Sequence, residues 1–447
     1  MKKIFLLFCV AFFSVNTLNA QLIYTYAGDG IDAYGGDDSL AIHAGVATPS
    51  GVAVDASGNV YIADQSSNRI RKVDAAGIIT TFAGTGVSGF SGDSGLATAA
   101  TLSQPVRIAI DKKGNIYVAD ANNNRIRKID NAGIITTVAG TGIGGYNGDS
   151  IAATAAQLNV PYGIAVDSEG NIFIADFFNN RVRKVNTMGM ITTIAGNGTG
   201  GFGGDSGLAT ASVINAPNDV AVDKNGNVYF TDENNIRVRM INAAGIITTI
   251  AGTGTEGYTG DSGLAVSAEL GSPVGVDLDS AGNIYISDQV DGVIRKINSS
   301  GIITTIVGNG ISGYNGDGIV ATAAELSTPY DVAIGGNGSM YIADYQNSRV
   351  RVVMDTAAVA GISNAILPFA VNVYPDPTEG NITVGLPVLP EDATILISDL
   401  LGNKVAERHV LPAQGGNVSF YLPVAGTYLL TVYSSGSVIC TKKVIRF

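Results

Sequence analysis

The sequence predicts an all-β protein, a six-bladed β-propeller followed by a small C-terminal β-sandwich. Three observations support this prediction: a 56-residue repeat present in six copies, short runs of alternating apolar and polar residues, and 58 glycines among 447 residues. Abundant glycine combined with many Ile, Val, Thr and Tyr residues is typical of short strands joined by tight turns. The same composition excludes coiled coils and long helical arrays.

The repeat is defined by residues that recur at one phase of every copy. Aspartates end a strand-like run every 56 residues, at Asp64, Asp120, Asp176, Asp232, Asp288 and Asp344. Prolines keep this spacing at Pro49, Pro105, Pro161, Pro217, Pro273 and Pro329. Aspartates that follow a glycine keep it at Asp37, Asp93, Asp149, Asp205, Asp261 and Asp317. A period of this length indicates a solenoid, an array or a propeller.

Each copy contains four short strand-like runs. In the first full copy they are Gly51–Asp55, Asn59–Asp64, Arg69–Asp74 and Ile78–Ala83, separated by short turns or polar loops. Four antiparallel strands repeated six times predict a propeller, in which each sheet is stacked on its neighbours.

The two ends of the repeat region predict closure of the ring. Leu22–Ala27 has the phase of a fourth strand without its first three, and the last copy ends near Val353 without a fourth. We therefore expect the N-terminal strand to complete the last blade, which removes exposed sheet edges. The predicted propeller domain is residues 21–357.

The first 20 residues predict a secretory signal peptide. Lys2 and Lys3 precede an apolar run from Ile4 to Val15, and Ala20 precedes the expected cleavage point. Removing this segment changes the net charge from −12 to −14 and leaves Cys440 without a partner cysteine. The negative charge argues against a nucleic-acid ligand. No later segment is long and apolar enough for a transmembrane helix.

The repeat stops after Val353, and residues 358–368 are predicted as a linker to a domain at residues 369–447. This domain has alternating strands with turns that contain proline or glycine, which predicts a small β-sandwich. Its motifs include Val373–Gly380, Ile397–Lys404, Ala425–Val432 and Lys442–Phe447. These motifs are similar to the C-terminal (Por) sorting domain of type IX secretion cargo in Bacteroidota. The resemblance implies export through the periplasm by the type IX machinery, to the outer cell surface or the medium.

The repeat itself resembles the NHL repeat family. Pro161–Asp167 matches the start of that repeat, Asn59–Asp64 its middle and Asn180–Lys184 its end. Two copies depart from the pattern. Ile236 replaces the asparagine of the Asn-Arg pair in the fourth copy, and Gly292 and Val293 replace the whole pair in the fifth. The resemblance implies a propeller fold and leaves function open.

Two series of repeated aspartates could hold a ring of calcium ions, or each could accept hydrogen bonds within its own loop. Because they recur in every blade, we predict a structural role and no cofactor, with calcium kept as an alternative. An arginine series accompanies them, at Arg71, Arg127, Arg183, Arg239, Arg295 and Arg351. We expect these arginines to be charge partners of the loop aspartates. His43 and His409 are the only histidines in the sequence, which argues against a histidine-rich metal site.

Positions that differ between blades are the best candidates for a binding site, because structural requirements recur in a repeat. The two residues after each blade proline lie near the mouth of the central channel. There the sequence has Arg107, Tyr162, Asn218, Asp219, Tyr330 and Asp331. One interpretation is drift at tolerant surface positions; the other is a polar pocket with aromatic platforms for a sugar or peptide.

These residues and resemblances leave two candidate functions. The preferred prediction is a monomeric secreted or cell-surface binding protein whose extracellular ligand is a glycan, peptide or protein. The alternative is an enzyme that acts at the central channel, like calcium-dependent lactonases, other hydrolases or the NHL-type lyases. Asn218, Asp219 and Asp331 would supply part of such a site, but the sequence contains no complete catalytic set.

Overall fold

The computed structural model describes residues 21–355 and, towards the C-terminus, residues 372–374, 381–386, 393–399, 404–411, 416–434 and 437–446. The predicted signal peptide and the predicted linker lie outside these residues, so the two domain boundaries stay predictions. Within residues 21–355 the chain forms six antiparallel sheets. We number them as blades 1 to 6 in the order of the six prolines.

Each blade has four main strands. The first strands are Pro49–Val54, Pro105–Ile110, Pro161–Val166, Pro217–Val222, Pro273–Leu278 and Pro329–Ile334. The second strands are Val60–Asp64, Ile116–Asp120, Ile172–Asp176, Val228–Asp232, Ile284–Asp288 and Met340–Asp344. The third strands are Arg69–Val73, Arg125–Ile129, Arg181–Val185, Arg237–Ile241, Val293–Ile297 and Arg349–Asp355. The fourth strands are Ile78–Ala83, Ile135–Ala139, Met190–Ala195, Ile247–Ala251, Ile303–Val307 and, in blade 6, Gln21–Ala27.

The fourth strand of blade 6 confirms the predicted closure by the N-terminus. Gln21–Ala27 pairs antiparallel with Arg349–Asp355, with Ile23 opposite Val353. The first strand of each blade packs beside that of the next, and blade 6 returns to blade 1. These first strands surround a central channel with a volume of ≈ 280 Å³.

Short elements in the linkers between blades and in the loops after the second strands were not predicted. Two-residue strands add a fifth strand to three blades, at Ser39–Leu40, Ile151–Ala152 and Ile319–Val320. Single turns of 3₁₀-helix occur at Ala41–His43, Ala97–Ala99, Ala121–Asn123, Ala153–Ala155, Phe177–Asn179, Ala209–Ala211, Glu233–Asn235, Ala265–Ser267, Ala321–Ala323 and Tyr345–Asn347. None of these helices is longer than one turn, which agrees with the all-β prediction.

The core lies between neighbouring blades, because each sheet is apolar on both faces. Between blades 1 and 2, for example, Tyr61 and Ile70 of one sheet pack with Val118 and Ile129 of the next. Burial of one such aliphatic side chain contributes roughly 1.5–3 kcal/mol, and the arrangement is repeated around the ring. The channel is therefore surrounded by a continuous ring of packed apolar side chains.

The C-terminal region forms two antiparallel sheets whose buried side chains share one apolar cluster. The strands are Asn372–Tyr374, Asn381–Leu386, Ala393–Asp399, Lys404–Val410, Gly416–Tyr421, Gly426–Ser434 and Ser437–Arg446. Ile382 of one sheet and Leu430 of the other belong to this cluster. Two sheets over one core are the predicted β-sandwich.

Candidate functional site

The repeated aspartates and arginines form a structural network. In blade 2, Arg127 Nη2 lies 2.8 Å from Asp93 Oδ1, and Arg127 Nη1 lies 3.3 Å from Asp120 Oδ2. Asp120 Oδ1 also accepts a hydrogen bond of 2.8 Å from the backbone N–H of Ser103. Phe90 of the long linker covers Arg127, with the guanidinium carbon 4.8 Å from the ring centroid. This confirms that the arginines are charge partners of the loop aspartates.

The long linkers and the loops after the second strands lie at one end of the channel. The Oδ1 atom of Asn68, for example, accepts a hydrogen bond of 2.9 Å from the N–H of Gln104 in the linker. We call this end the channel mouth; the first strands begin there, as the sequence predicted. It contains the six predicted site residues and three further side chains described below.

Four of the predicted site residues are buried, Asn218 and three charged residues, which corrects the interpretation of these positions as tolerant surface positions. Arg107, Asp219 and Asp331 are only 2%, 4% and 5% exposed. The Nε atom of Arg107 lies 3.3 Å from Asp219 Oδ2 and 3.6 Å from Asp331 Oδ1. Its Nη2 atom donates to the carbonyl oxygens of Val274 and Tyr330, at 3.2 and 2.7 Å. Arg107 therefore extends from blade 2 across the channel towards blades 4, 5 and 6.

The two carboxylates join neighbouring blades. Asp219 Oδ1 accepts the N–H of Val220 in its own strand at 2.8 Å, and Asp219 Oδ2 accepts that of Val276 in the next blade at 3.0 Å. Asp331 joins blade 6 to blade 1 in the same way, through Val332 and Val52 at 2.9 and 2.8 Å. Each carboxylate thus satisfies two N–H groups that face the channel.

Glycine occupies the equivalent position in the alternate blades, because the adjacent blade approaches closely there. A Cβ atom on Gly51 would lie 2.3 Å from the carbonyl oxygen of Val106, and one on Gly163 would lie 2.5 Å from Asp219 Cα. Glycine at this position is therefore a packing requirement of blades 1, 3 and 5. Comparing the sequences of the blades identified these positions, but it could not show how closely the adjacent blade approaches them.

Asp277 forms a further bridge one step deeper in the channel, and it was not predicted from the sequence. It stands where the other blades have alanine, for example Ala221. Its two oxygens accept the N–H groups of Leu278 and Ile334, at 2.7 and 2.8 Å. Burial raises the pKa of Asp277 to about 7, and the negative charge of Asp219 adds to this effect. Burial also raises the pKa of Asp331 to about 7, although Arg107 opposes the shift.

The remaining predicted residues lie at the entrance, each beside a residue that was not predicted from the sequence. The ring centroids of Tyr162 and Phe177 are 4.5 Å apart, and those of Tyr330 and Tyr345 are 5.4 Å apart. Between these aromatic pairs in chain order, Asn218 Nδ2 donates to Glu233 Oε2 at 2.8 Å. We call these three contacts the mouth pairs: Tyr162 with Phe177, Asn218 with Glu233, and Tyr330 with Tyr345. They are written below as Tyr162–Phe177, Asn218–Glu233 and Tyr330–Tyr345.

All three pairs join equivalent positions of their blades. The blade proline of the first strand is opposite the terminal aspartate of the second, as in Pro217 and Asp232, and the first strand bulges directly after the proline. In blades 3, 4 and 6 the side chain of the residue after the proline contacts that of the residue after the aspartate. In all blades this second position is Gln65, Ala121, Phe177, Glu233, Gln289 or Tyr345. Its variation is a sequence signal that could have identified Phe177, Glu233 and Tyr345.

Electrostatic coupling shows that the mouth pairs form one cluster. Burial raises the pKa of Tyr330 to about 12, with smaller contributions from Tyr162 and Glu233, while Arg107 opposes the shift. Burial also raises the pKa of Tyr162, and the neighbouring Glu233 and Tyr345 add to this effect. The pKa of Glu233 is raised by burial as well. Aromatic faces, an amide and a carboxyl group are thus brought together at one entrance.

The carboxylates at the mouth differ from a typical calcium site, in which several oxygens converge on the ion. Asp219 and Asp331 already accept backbone N–H groups and face Arg107. Across the described ranges, no group of three or more His, Cys, Asp or Glu residues is arranged to hold a metal ion.

In the same part of the chain, no helix has the length and hydropathy needed to cross a membrane.

Comparisons with known proteins identify both regions. The family model of the teneurin NHL domain matches residues 29–91, 87–143, 144–200, 198–259 and 253–312, which together span more than half of the chain. A second model, the secretion system C-terminal sorting domain, matches residues 372–446. The latter indicates type IX secretion to the cell surface or the medium.

Individual relatives agree with these matches. Teneurin-1 of Gallus gallus is 30% identical over 278 residues, which are 54% of this chain and 10% of the teneurin. The chain therefore spans only about a tenth of that relative. A crystal structure of a Bacteroides thetaiotaomicron protein of unknown function has a TM-score of 0.56 at 21% identity, covering 75% of this chain and 76% of the other. An auxiliary nutrient binding protein of the same organism has a TM-score of 0.54 at 17% identity, with the same coverage. Both structural similarities concern the fold.

Proposed function

The chain belongs to the teneurin NHL domain family, and on this premise we propose that it is a secreted or cell-surface binding protein that recognises its ligand at the channel mouth. The C-terminal sorting domain supports an extracellular place of action. The proposed ligand has a polar group that enters the mouth, as a glycan, a peptide or a protein side chain would.

The observation that carries the proposal is the break in symmetry at the three mouth pairs. The same two positions are Val106 and Ala121 in blade 2, so the fold itself does not require aromatic or charged side chains there. Blades 3, 4 and 6 nevertheless bring aromatic rings and one hydrogen-bonded Asn–Glu pair to a common entrance. Aromatic side chains combined with a few polar groups are typical of ligand-recognition sites.

A binding screen on matched variants tests the proposal. The secreted protein is screened against glycans and peptides by thermal shift, alongside the double variant Tyr162→Val and Tyr330→Val. Valine occupies the equivalent position in blades 2 and 5, as Val106 and Val274, so the double variant should fold. We expect ligand-induced stabilisation in the parent protein and its loss in the double variant.

Tyr258→Val is the control, because Tyr258 is an exposed aromatic residue on a long linker. This variant should keep the parent response. If the control loses the response and the double variant keeps it, the ligand binds to the long linkers and the proposal is wrong.

A further inference from the structure

The chemical class of the ligand follows from which hydrogen-bonding groups the mouth leaves available. Asn218 is 1% exposed, and its Nδ2 group donates to Glu233. Its Oδ1 atom is buried and accepts no hydrogen bond from the described part of the protein. A buried acceptor without a donor is costly, at about 1–3 kcal/mol. A ligand that donates a hydrogen bond to Asn218 Oδ1 would remove this cost.

The charge balance at the mouth indicates a positively charged donor. Arg107 already faces two carboxylates, Asp219 and Asp331. Glu233 adds a third, and no lysine or arginine of the described residues forms an ion pair with it. Above the raised pKa of Asp331, about 7, all three carboxyl groups are ionised and the cluster has one cation for three anions. Buried carboxylates that lack a partner are stabilised by a cation that enters the site.

The aromatic rings favour the same kind of group. Tyr162–Phe177 and Tyr330–Tyr345 provide two ring pairs near the Asn218–Glu233 pair. Ring faces attract cations through their quadrupole, and their apolar surface packs against methylene groups. Tyr162, Tyr330, Glu233 and Tyr345 are only partly buried, so a ligand can reach them from solvent.

We propose that the channel mouth binds an alkylammonium group, as carried by a lysine side chain or a polyamine. The ammonium donates to Asn218 Oδ1 and to the Glu233 carboxylate, and the attached methylenes lie against the rings of the aromatic mouth pairs. This inference rests on the proposed function, since it assigns the ligand class of the same site. The site prefers a compact ammonium because its acceptors are a single amide oxygen and an adjacent carboxylate. An ammonium group has three donors that can be directed at them.

Calorimetric titration of the secreted protein with two matched peptides tests the inference. One is a capped Gly-Gly-Lys-Gly-Gly peptide, and the other is identical except that the lysine is acetylated, which removes the charge. Two further probes are spermidine and a capped peptide with arginine in place of the lysine. Spermidine distinguishes a polyamine ligand from a peptide ligand, and the arginine peptide distinguishes an ammonium from a guanidinium group. We expect the lysine peptide to bind at least about tenfold more tightly than the acetylated one.

Glu233→Gln is the diagnostic variant, because glutamine already occupies the equivalent position as Gln65 and Gln289. It should fold and weaken lysine-peptide binding by about tenfold or more. Glu169→Gln, in an exposed turn between the first and second strands of blade 3, is the matched control and should leave affinity unchanged.

The outcomes separate this inference from the proposed function. Equal binding of the two peptides, or undiminished binding by the Glu233→Gln variant, would overturn the alkylammonium assignment. If a neutral glycan still bound in a way that required Tyr162 and Tyr330, the proposed function would stand without it. If no probe bound in a tyrosine-dependent way, both would fail.

Discussion

The Nε atom of Arg107 lies 3.3 Å from Asp219 Oδ2, and both side chains are buried within the channel of the propeller. This ion pair joins blade 2 to blade 4 across the channel, and the other blades have glycine or aspartate at the position of Arg107. A buried ion pair of this kind is strongly destabilising to break, because removal of one partner leaves an uncompensated charge. The ion pair therefore holds blades 2 and 4 together at the mouth and balances the charges of the two side chains.

Replacing Arg107 with methionine should lower the free energy of unfolding by about 3–5 kcal/mol at pH 8. Asp219 and Asp331 would then be buried without a cation, and their pKa values would rise further, so the folded state would bind more protons than the unfolded state. The loss should therefore be smaller at pH 5.5 than at pH 8. Chemical denaturation at both pH values measures this, with Lys224→Met in an exposed turn as the control. A loss below about 1 kcal/mol at pH 8 would contradict the ion-pair geometry.

Asp277 should make the stability of the protein depend on pH. Its pKa is raised to about 7, whereas an unfolded aspartate titrates near 3.9, so its contribution to stability falls as pH rises from about 4 to 7. Asp277→Ala restores the residue found in the other five blades. The stability of this variant relative to the parent should rise by about 2–3 kcal/mol between pH 5 and pH 8. A difference that is constant with pH would show that Asp277 is not protonated in this range.

Blade 5 contains an Asp–Asp pair where blades 2, 3, 4 and 6 have an Asp–Asn pair. In blade 3, Asn179 Nδ2 donates to Asp176 Oδ2 at 2.8 Å, but Asp291 replaces this asparagine beside Asp288. Burial and the charge of Asp291 raise the pKa of Asp288 to about 7. Asp291→Asn should therefore stabilise the protein by about 1–2 kcal/mol at pH 8 and by less at pH 5.

The reverse substitution in blade 3, Asn179→Asp, is the matched counterpart and should destabilise the protein at pH 8. Thermal melts of both variants at the two pH values give the comparison. If both variants changed the melting temperature in the same direction at pH 8, the hydrogen bond from asparagine to aspartate would not explain the difference between the blades.

Ring closure by the N-terminal strand is tested by removing residues 21–29. The deletion takes away the fourth strand of blade 6, including the fully buried Ile23, and exposes the edges of two strands. We expect a melting temperature at least several degrees lower, since burial of one such side chain already contributes roughly 1.5–3 kcal/mol. Asp32→Ser, in the exposed linker just after this strand, should melt like the parent. An unchanged melting temperature after the deletion would contradict closure.

The propeller was predictable because its determinants are local and repeated. The run from Asn59 to Asp64 alternates as a strand, and Val60–Asp64 forms one; Asp55 Oδ1 closes the preceding turn by accepting the N–H groups of Ser57 and Asn59, both at 2.9 Å. The partnership of Arg71 with the loop aspartates was also predictable, because charges of opposite sign recur at fixed positions.

The channel mouth was predictable only in part. Sequence comparison of the blades identified Arg107 and Asp219 as exceptional, but their burial depends on how far a side chain extends across the ring. Sequence spacing within one blade contains no information about that distance. Glu233 was missed for a different reason, since it lies in the loop after the second strand and contacts Asn218 at the bulge of the first strand.

Recognition of a ligand at the channel mouth is tested most directly by a crystal structure of the secreted protein with the peptide or glycan that binds most tightly. We expect the ligand to lie between the Tyr162–Phe177 and Tyr330–Tyr345 pairs, with a polar group within hydrogen-bonding distance of Asn218 or Glu233. A ligand bound instead to the long linkers, for example beside Phe90 or Tyr258, with an unoccupied mouth, would show that the binding site lies elsewhere.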